Sequence, residues 1–169
     1  MENSAGGILM PRINVKRTLF NTQKGETMTQ DPFGNLQDWG QVLDHLENIF
    51  KTGRAEDCQR GLIRILRYRG NWRLREETLK HIENIENPKE DLIREVLSIL
   101  ENDTIYYEAR IIACQSLMKI LHKNRSAQEQ LTREAGQALT RINSIPQPPF
   151  FMDSINMHAR DLRTANFIK

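Results

Sequence analysis

The chain has 169 residues, 38% hydrophobic and 27% charged, with 24 basic against 22 acidic residues and a formal net charge of +2. That composition fits one soluble globular domain with tails. No apolar run reaches the ~20 residues a membrane span needs, and Ile8 to Met10 is too short for a secretory core, so the expected partners exclude a membrane and the expected location is the cytoplasm. Cys58 and Cys114 do not make a disulfide framework, and His45, His81, His122 and His158 stand too far apart for a short-spaced zinc motif; no cofactor and no metal are expected.

Residues 1–34 mix Gly6, Gly7, Pro11, Gly25, Pro32 and Gly34 with polar residues and show no helical period, the pattern of a flexible N-terminal arm in which Met28 could itself be a start. From 35 the period changes. Leu36, Trp39, Leu43, Leu46, Ile49 and Phe50 make one face of a helix, with Asn35 as its cap and Gly53 as its stop. A second helix is expected over about 55–69 through Cys58, Leu62, Ile65 and Leu66, and a third from Asn71, its cap, through Trp72, Leu79, Ile82 and Ile85.

Asn87, Pro88 and Glu90 read as cap, first helical residue and first-turn acid of a fourth helix carrying Leu92, Val96, Leu97 and Leu100. The fifth runs from about Thr104 to His122 through Ile105, Ala109, Ile112, Ala113, Leu117, Ile120 and Leu121, capped by Asp103. Ser126 with Glu129 makes a capping box for the sixth, which continues through Leu131, Ala135, Leu139 and Ile142 and offers Ala127, Ala135, Gly136 and Ala138 as a small-residue face for close packing. Connections of a few residues force such helices into antiparallel neighbours, so the fold expected for 35–143 is all-α, about six antiparallel helices. Pro146, Pro148 and Pro149 then break the pattern, and the C-terminal tail, 144–169, is expected either to fold back through Phe150, Phe151, Met152 and Ile155 or to be captured by a partner.

A shift of 35 residues superposes Leu62 on Leu97, Ile65 on Leu100, Arg75 on Arg110, Thr78 on Ala113, Ile82 on Leu117 and Ile85 on Ile120. The stretches NWRLREETLKHIENIENP and NDTIYYEARIIACQSLMKIL resemble the second helix of HEAT-type repeats. Asn71 and Asp103 match the turn residue, Arg75 and Arg110 the arginine, Ala113 the small residue, and Ile82 and Leu117 the leucine position, while Thr78 stands where alanine is commoner. The resemblance covers about 55–122 with one helix on each side. It implies stacked helix hairpins, an α-α superhelix, and a role in binding a partner.

Charge is segregated along the chain. Six arginines, Arg60, Arg64, Arg67, Arg69, Arg73 and Arg75, stand without an acid among them, and from Glu76 to Glu108 ten acidic residues face only Lys80, Lys89 and Arg94. One reading pairs the arginines with acids of the next helices, Glu76 and Glu77 among them, with Arg75 and Arg110 as buried repeat arginines that bridge neighbouring units. A second makes Arg60, Arg64, Arg67, Tyr68, Arg69, Trp72 and Arg73 a docking surface for an acidic segment of another protein, because arginine with tryptophan and tyrosine is the mix that anchors interfaces. A third is nucleic-acid binding, against which the acidic neighbours weigh. No phosphate loop, nucleophile elbow or metal-protease motif is present. The expected function is therefore a non-enzymatic interaction or scaffold module; the alternative is a nucleic-acid-binding module or an accessory enzyme, lyase-like or glycosylase-like, on the same scaffold.

Overall fold

The computed structural model describes residues 31–124 and 128–166. These form seven α-helices: α1 (Trp39–Lys51), α2 (Gln59–Arg67), α3 (Trp72–Ile82), α4 (Glu90–Glu101), α5 (Tyr107–Lys123), α6 (Glu129–Asn143) and α7 (Pro149–Asn166); a 3-10 turn (Arg54–Glu56) precedes α2, and no strand occurs among the described residues. The all-α class expected from the sequence is what the chain adopts. No helix among the described residues is long and apolar enough to cross a membrane.

The starts of the helices obey local rules in part. Asn71 caps α3 as expected, its Oδ1 accepting from the Arg73 amide at 2.9 Å. Asn35 does not cap α1: its side chain accepts from the Gln37 amide, making a turn before the helix begins at Trp39. The helix after Pro88 begins two residues later than expected, because the Asn87 amide and side chain are both held by Glu56 Oε1, at 2.9 and 3.0 Å, from the 3-10 turn that precedes α2. Asp103 is likewise not a cap, since Asn102 closes that turn on Thr104 and α5 starts at Tyr107. The capping box at Ser126 lies outside the described residues, as does Ala127.

Helices adjacent in the chain pack as hairpins, α2 with α3, α4 with α5 and α6 with α7, and helices two apart lie side by side. The result is two rows, α2, α4 and α6 in one and α1, α3, α5 and α7 in the other. Within a row the helices are parallel. Arg67 near the end of α2 meets Glu95 of α4, and Arg141 near the end of α6 meets Glu101 at the end of α4. In the other row, Ser116 of α5 donates to the Leu79 carbonyl of α3 at 2.6 Å and Lys119 pairs with Glu83 at 2.8 Å.

Burial follows from this order. The central helices α4 and α5 have neighbours on three sides, so α4 buries Leu92, Ile93, Val96, Leu97, Ile99 and Leu100, and α5 buries residues around most of its circumference. Both cysteines are buried and free, and burial pushes the Cys114 thiol up to about 12. The small residues Ala135 and Ala138 are buried, but a Cβ at Gly136 would meet nothing within 4 Å, so that glycine does not serve close packing.

Both ends of the described chain pack on the helices between them. The expected arm overlaps the described residues only at 31–34, and there Phe33 is buried against α2; Gly61 makes this possible, because a Cβ on it would stand 2.6 Å from Phe33 Cδ2. At the other end, α7 packs on α5 and α6 and buries Phe151, Ile155 and Ala159. Pro149 is its first residue, where a missing amide hydrogen costs nothing.

Candidate partner-binding surface

Arg60, Arg64 and Arg67 follow one another at helical spacing opposite the buried Leu62, Ile65 and Leu66, so α2 directs them away from the core. Two of the three are committed inside the molecule. Arg64 makes a fork on Asp31, Nε to Oδ2 at 2.5 Å and Nη2 to Oδ1 at 3.0 Å, and also donates to the Gly34 carbonyl at 2.9 Å. Partial burial works to raise the Asp31 carboxyl, but the hydrogen bonds from Arg64 and the Phe33 amide outweigh it and hold it below its ordinary value. Arg67 donates to Glu95 at 2.7 Å. Arg60 makes no ion pair among the described residues and lines an open groove of about 620 Å³ between α2 and α4, together with Asp91, Arg94 and Ser98.

The expected pairing with Glu76 and Glu77 is not what forms. Glu77 bonds His81 at 2.9 Å and Lys80 at 3.6 Å on its own helix, and Glu76 accepts from the Tyr106 hydroxyl at 3.1 Å. The rows explain the difference: α2 lies beside α4 rather than against the exposed side of α3, so its outward arginines reach an acid of α4 and one of the 31–34 segment.

Arg75 and Arg110 are buried, at 8% and 2% exposure. Each ties its helix to the end of the preceding one. Arg75 Nε donates to the Leu66 carbonyl at 3.0 Å and its Nη2 to that of Tyr68 at 3.1 Å; Arg110 Nε donates to the Leu100 carbonyl at 3.0 Å. Their hydrogen bonds therefore close hairpins rather than bridge units, although the Arg110 guanidinium also lies 4.5 Å from the Phe151 ring of α7. Burial lowers both guanidinium pKa values. Aligned on the carbonyls that accept from the two arginines, Leu66 corresponds to Leu100, so Leu62 falls on Val96 and Ile65 on Ile99 rather than on Leu97 and Leu100, and the turn from Asn102 to Tyr106 is one residue longer than the turn before Trp72.

Beyond α2 the chain turns through Tyr68, which is half-buried against the core, to three exposed residues, Arg69, Trp72 and Arg73. Trp72 is 56% exposed and Trp39 47%, so neither belongs to the apolar face on which its helical period placed it. Each is the first residue of its helix, at the rim of the row, where the neighbouring helix no longer covers it. The Arg73 guanidinium lies 5.9 Å from the Trp39 ring. Neither Arg69 nor Arg73 makes an ion pair among the described residues.

On the other side of Trp72, its ring stands edge-on to Tyr106, 6.4 Å away and at 85°. The two rings, Glu76 and Glu108 line an open cleft of about 450 Å³. Burial first, then the neighbouring Glu76, raises the Tyr106 phenol, so its hydroxyl remains a donor to that carboxylate. Further along, Tyr107 meets Phe150 at 5.5 Å, edge-on, and Phe150 is 53% exposed. Helical period did not mark Trp39 or Tyr106 as surface residues, nor Asp31 as the partner of Arg64, whereas Phe150 was already a candidate for capture by a partner. A signal was present for the rings, since each helix of the second row has an aromatic residue at its first or second position. Comparison of the chain with protein-family models, with curated proteins and with solved structures found no match.

Proposed function

We propose that the chain is a HEAT-like helical-repeat scaffold that holds an acidic segment of another protein against Arg69, Arg73, Trp39 and Trp72, with Arg60 on the adjoining face. The stack reading is supported by parallel rows in which each helix touches its second neighbour, and by two arginines that close successive hairpins on equivalent carbonyls. The observation that carries the binding reading is the contrast within one arginine run. Arg64, Arg67 and Arg75 are bonded inside the molecule, whereas Arg69 and Arg73 stand exposed, without an acidic partner among the described residues, beside exposed tryptophan. Arginine and tryptophan together are the pair that most often dominates binding energy.

The test is titration of the full-length chain with a glutamate-rich peptide and, separately, with a single-stranded oligonucleotide. Saturable peptide binding, weakened about tenfold by Arg69→Glu with Arg73→Glu, is the expected result. Oligonucleotide binding that is tighter, falls steeply with salt and is lost in the same variant would replace this reading with nucleic-acid binding.

A further inference from the structure

The face around Trp72 carries charges of both signs that find no partner inside the molecule. Helix α3 lies between α1 and α5, and its first turn sends side chains both ways. Arg73 reaches toward α1, where its guanidinium stands 5.9 Å from the Trp39 ring, and Arg69 precedes it in the turn that leads to α3. Toward α5, the Trp72 ring meets Tyr106 edge-on, Glu76 accepts from the Tyr106 hydroxyl at 3.1 Å, and Glu108 lines the same cleft. Arg73 and Glu76 are three residues apart on one helix, a spacing at which an ion pair can close, yet each turns to a ring instead of to the other. None of Arg69, Arg73, Glu76 and Glu108 makes an ion pair among the described residues. Across the row the order is therefore positive, aromatic, negative, with a tryptophan that is 56% exposed in the middle.

We infer that this face pairs with the same face of a second copy of the chain, about a two-fold axis at Trp72 that sets Arg69 and Arg73 of each copy against Glu76 and Glu108 of the other. A two-fold contact presents one patch to itself, so what lies on one side of the axis has to suit what lies on the other. Basic residues on the α1 side and acidic ones on the α5 side meet that condition, and the symmetry makes every favourable contact twice. A patch of a single sign would face its own charge and be repelled. The axis also brings the two Trp72 rings to the centre, where a large exposed ring leaves water and the charged pairs form the rim. An unrelated partner would have to supply the mirror order of charges, which this chain already carries.

The inference rests on the reading that Arg69 and Arg73 receive carboxylates, and it adds a regulation of that site: a second copy and the acidic segment of another protein compete for the same two arginines. Sedimentation equilibrium of the full-length chain over a concentration series is the test. Expected is a reversible monomer-dimer equilibrium, weakened about tenfold by Trp72→Ala. Two charge variants separate pairing from non-specific association. Arg69→Glu with Arg73→Glu sets acids against acids, Glu76→Lys with Glu108→Lys sets bases against bases, and each alone should weaken the dimer about tenfold or more. Mixed in equal amounts they should associate as tightly as the parent chain, because both halves of the mixed pair again join opposite charges. Should loss of the Glu76–Tyr106 hydrogen bond alter the far-ultraviolet circular dichroism, Glu108→Lys alone takes the place of the second variant, with partial recovery expected.

A chain that stays monomeric at every concentration overturns the pairing. So does a mixture that associates no better than its components, or a dimer indifferent to Trp72→Ala. The glutamate-rich peptide tells the two readings apart, since it should dissociate the dimer as it binds. Peptide binding to a chain that is monomeric throughout sinks the pairing alone, whereas a dimer that behaves as described and takes no peptide sinks the acidic-segment reading alone.

Discussion

The two rows of helices differ in the balance of the polar contacts that cross between neighbours. Along α2, α4 and α6 the side chains that cross from helix to helix are charged: Arg67 with Glu95, Arg94 with Glu134 and Arg141 with Glu101. Along α1, α3, α5 and α7 one ion pair, Lys119 with Glu83, also crosses, but beside it stand the buried Ser116 hydroxyl on a carbonyl and the Arg110 guanidinium packed against the Phe151 ring. Exposed ion pairs contribute ~0–1 kcal/mol each and order the stack more than they stabilise it. Buried donors with a carbonyl partner contribute more, because losing them strands a polar group away from water. A charge-rich segment of sequence can thus be an assembly feature, and a binding surface has to be sought in the charges left over.

Five substitutions test that contrast, beginning with the largest effect. Arg110→Ala should lower the unfolding free energy by about 2–4 kcal/mol, since a charged hydrogen bond and a buried ring contact disappear together. Arg67→Ala should lower it by less than ~1 kcal/mol. Equilibrium urea unfolding measures both, and similar losses for the two variants would erase the distinction between the rows.

Gly61→Ala probes where the first row ends in packing rather than charge. The added methyl meets the Phe33 ring, so a loss of about 1–3 kcal/mol is expected, with recovery when Phe33→Leu is combined with it. A loss that Phe33→Leu leaves untouched would show that the ring is not what the glycine accommodates. Gly136→Ala has the opposite sign: with open space at its Cβ and a helical position, it should gain ~0.5–1 kcal/mol, seen as a raised urea midpoint.

The smallest effect is a pH dependence. The Asp31 carboxyl titrates below its ordinary value in the folded chain, so the folded state favours its charged form. Its contribution is therefore present above the unfolded carboxylate pKa and is lost as pH falls through the lowered one. Because the pair is part-exposed, Asp31→Asn should flatten the acid limb of the stability curve by no more than ~1 kcal/mol. An acid limb identical in the two proteins would remove Asp31 from the account.

Much of the helical content was legible, because an apolar side chain every three or four residues is visible without knowing its neighbour; Leu46, Leu62, Leu79, Leu92, Leu117 and Leu139 all lie in the core where that period put them. The seventh helix was legible in principle. Phe151, Ile155 and Ala159 recur every fourth residue behind Pro149, yet the prolines read as a stop although a proline suits the first position of a helix. Cap residues were readable only when nothing distant competed: Asn71 caps, whereas Asn87 is taken by Glu56.

The sequence by itself determined the all-helical class, because helical period is a property of neighbours along the chain. It also marked Arg75 and Arg110 as a pair, through their spacing and their like surroundings. Only the tertiary structure decided which charges remain available. The acids that occupy Arg64 and Arg67 lie about thirty residues away in sequence and meet them only once α2 is placed between the 31–34 segment and α4. The same holds for Trp39, Trp72 and Phe150. Helical period places a ring on a face, but whether a neighbouring helix extends far enough to cover that face is fixed by how the rows end.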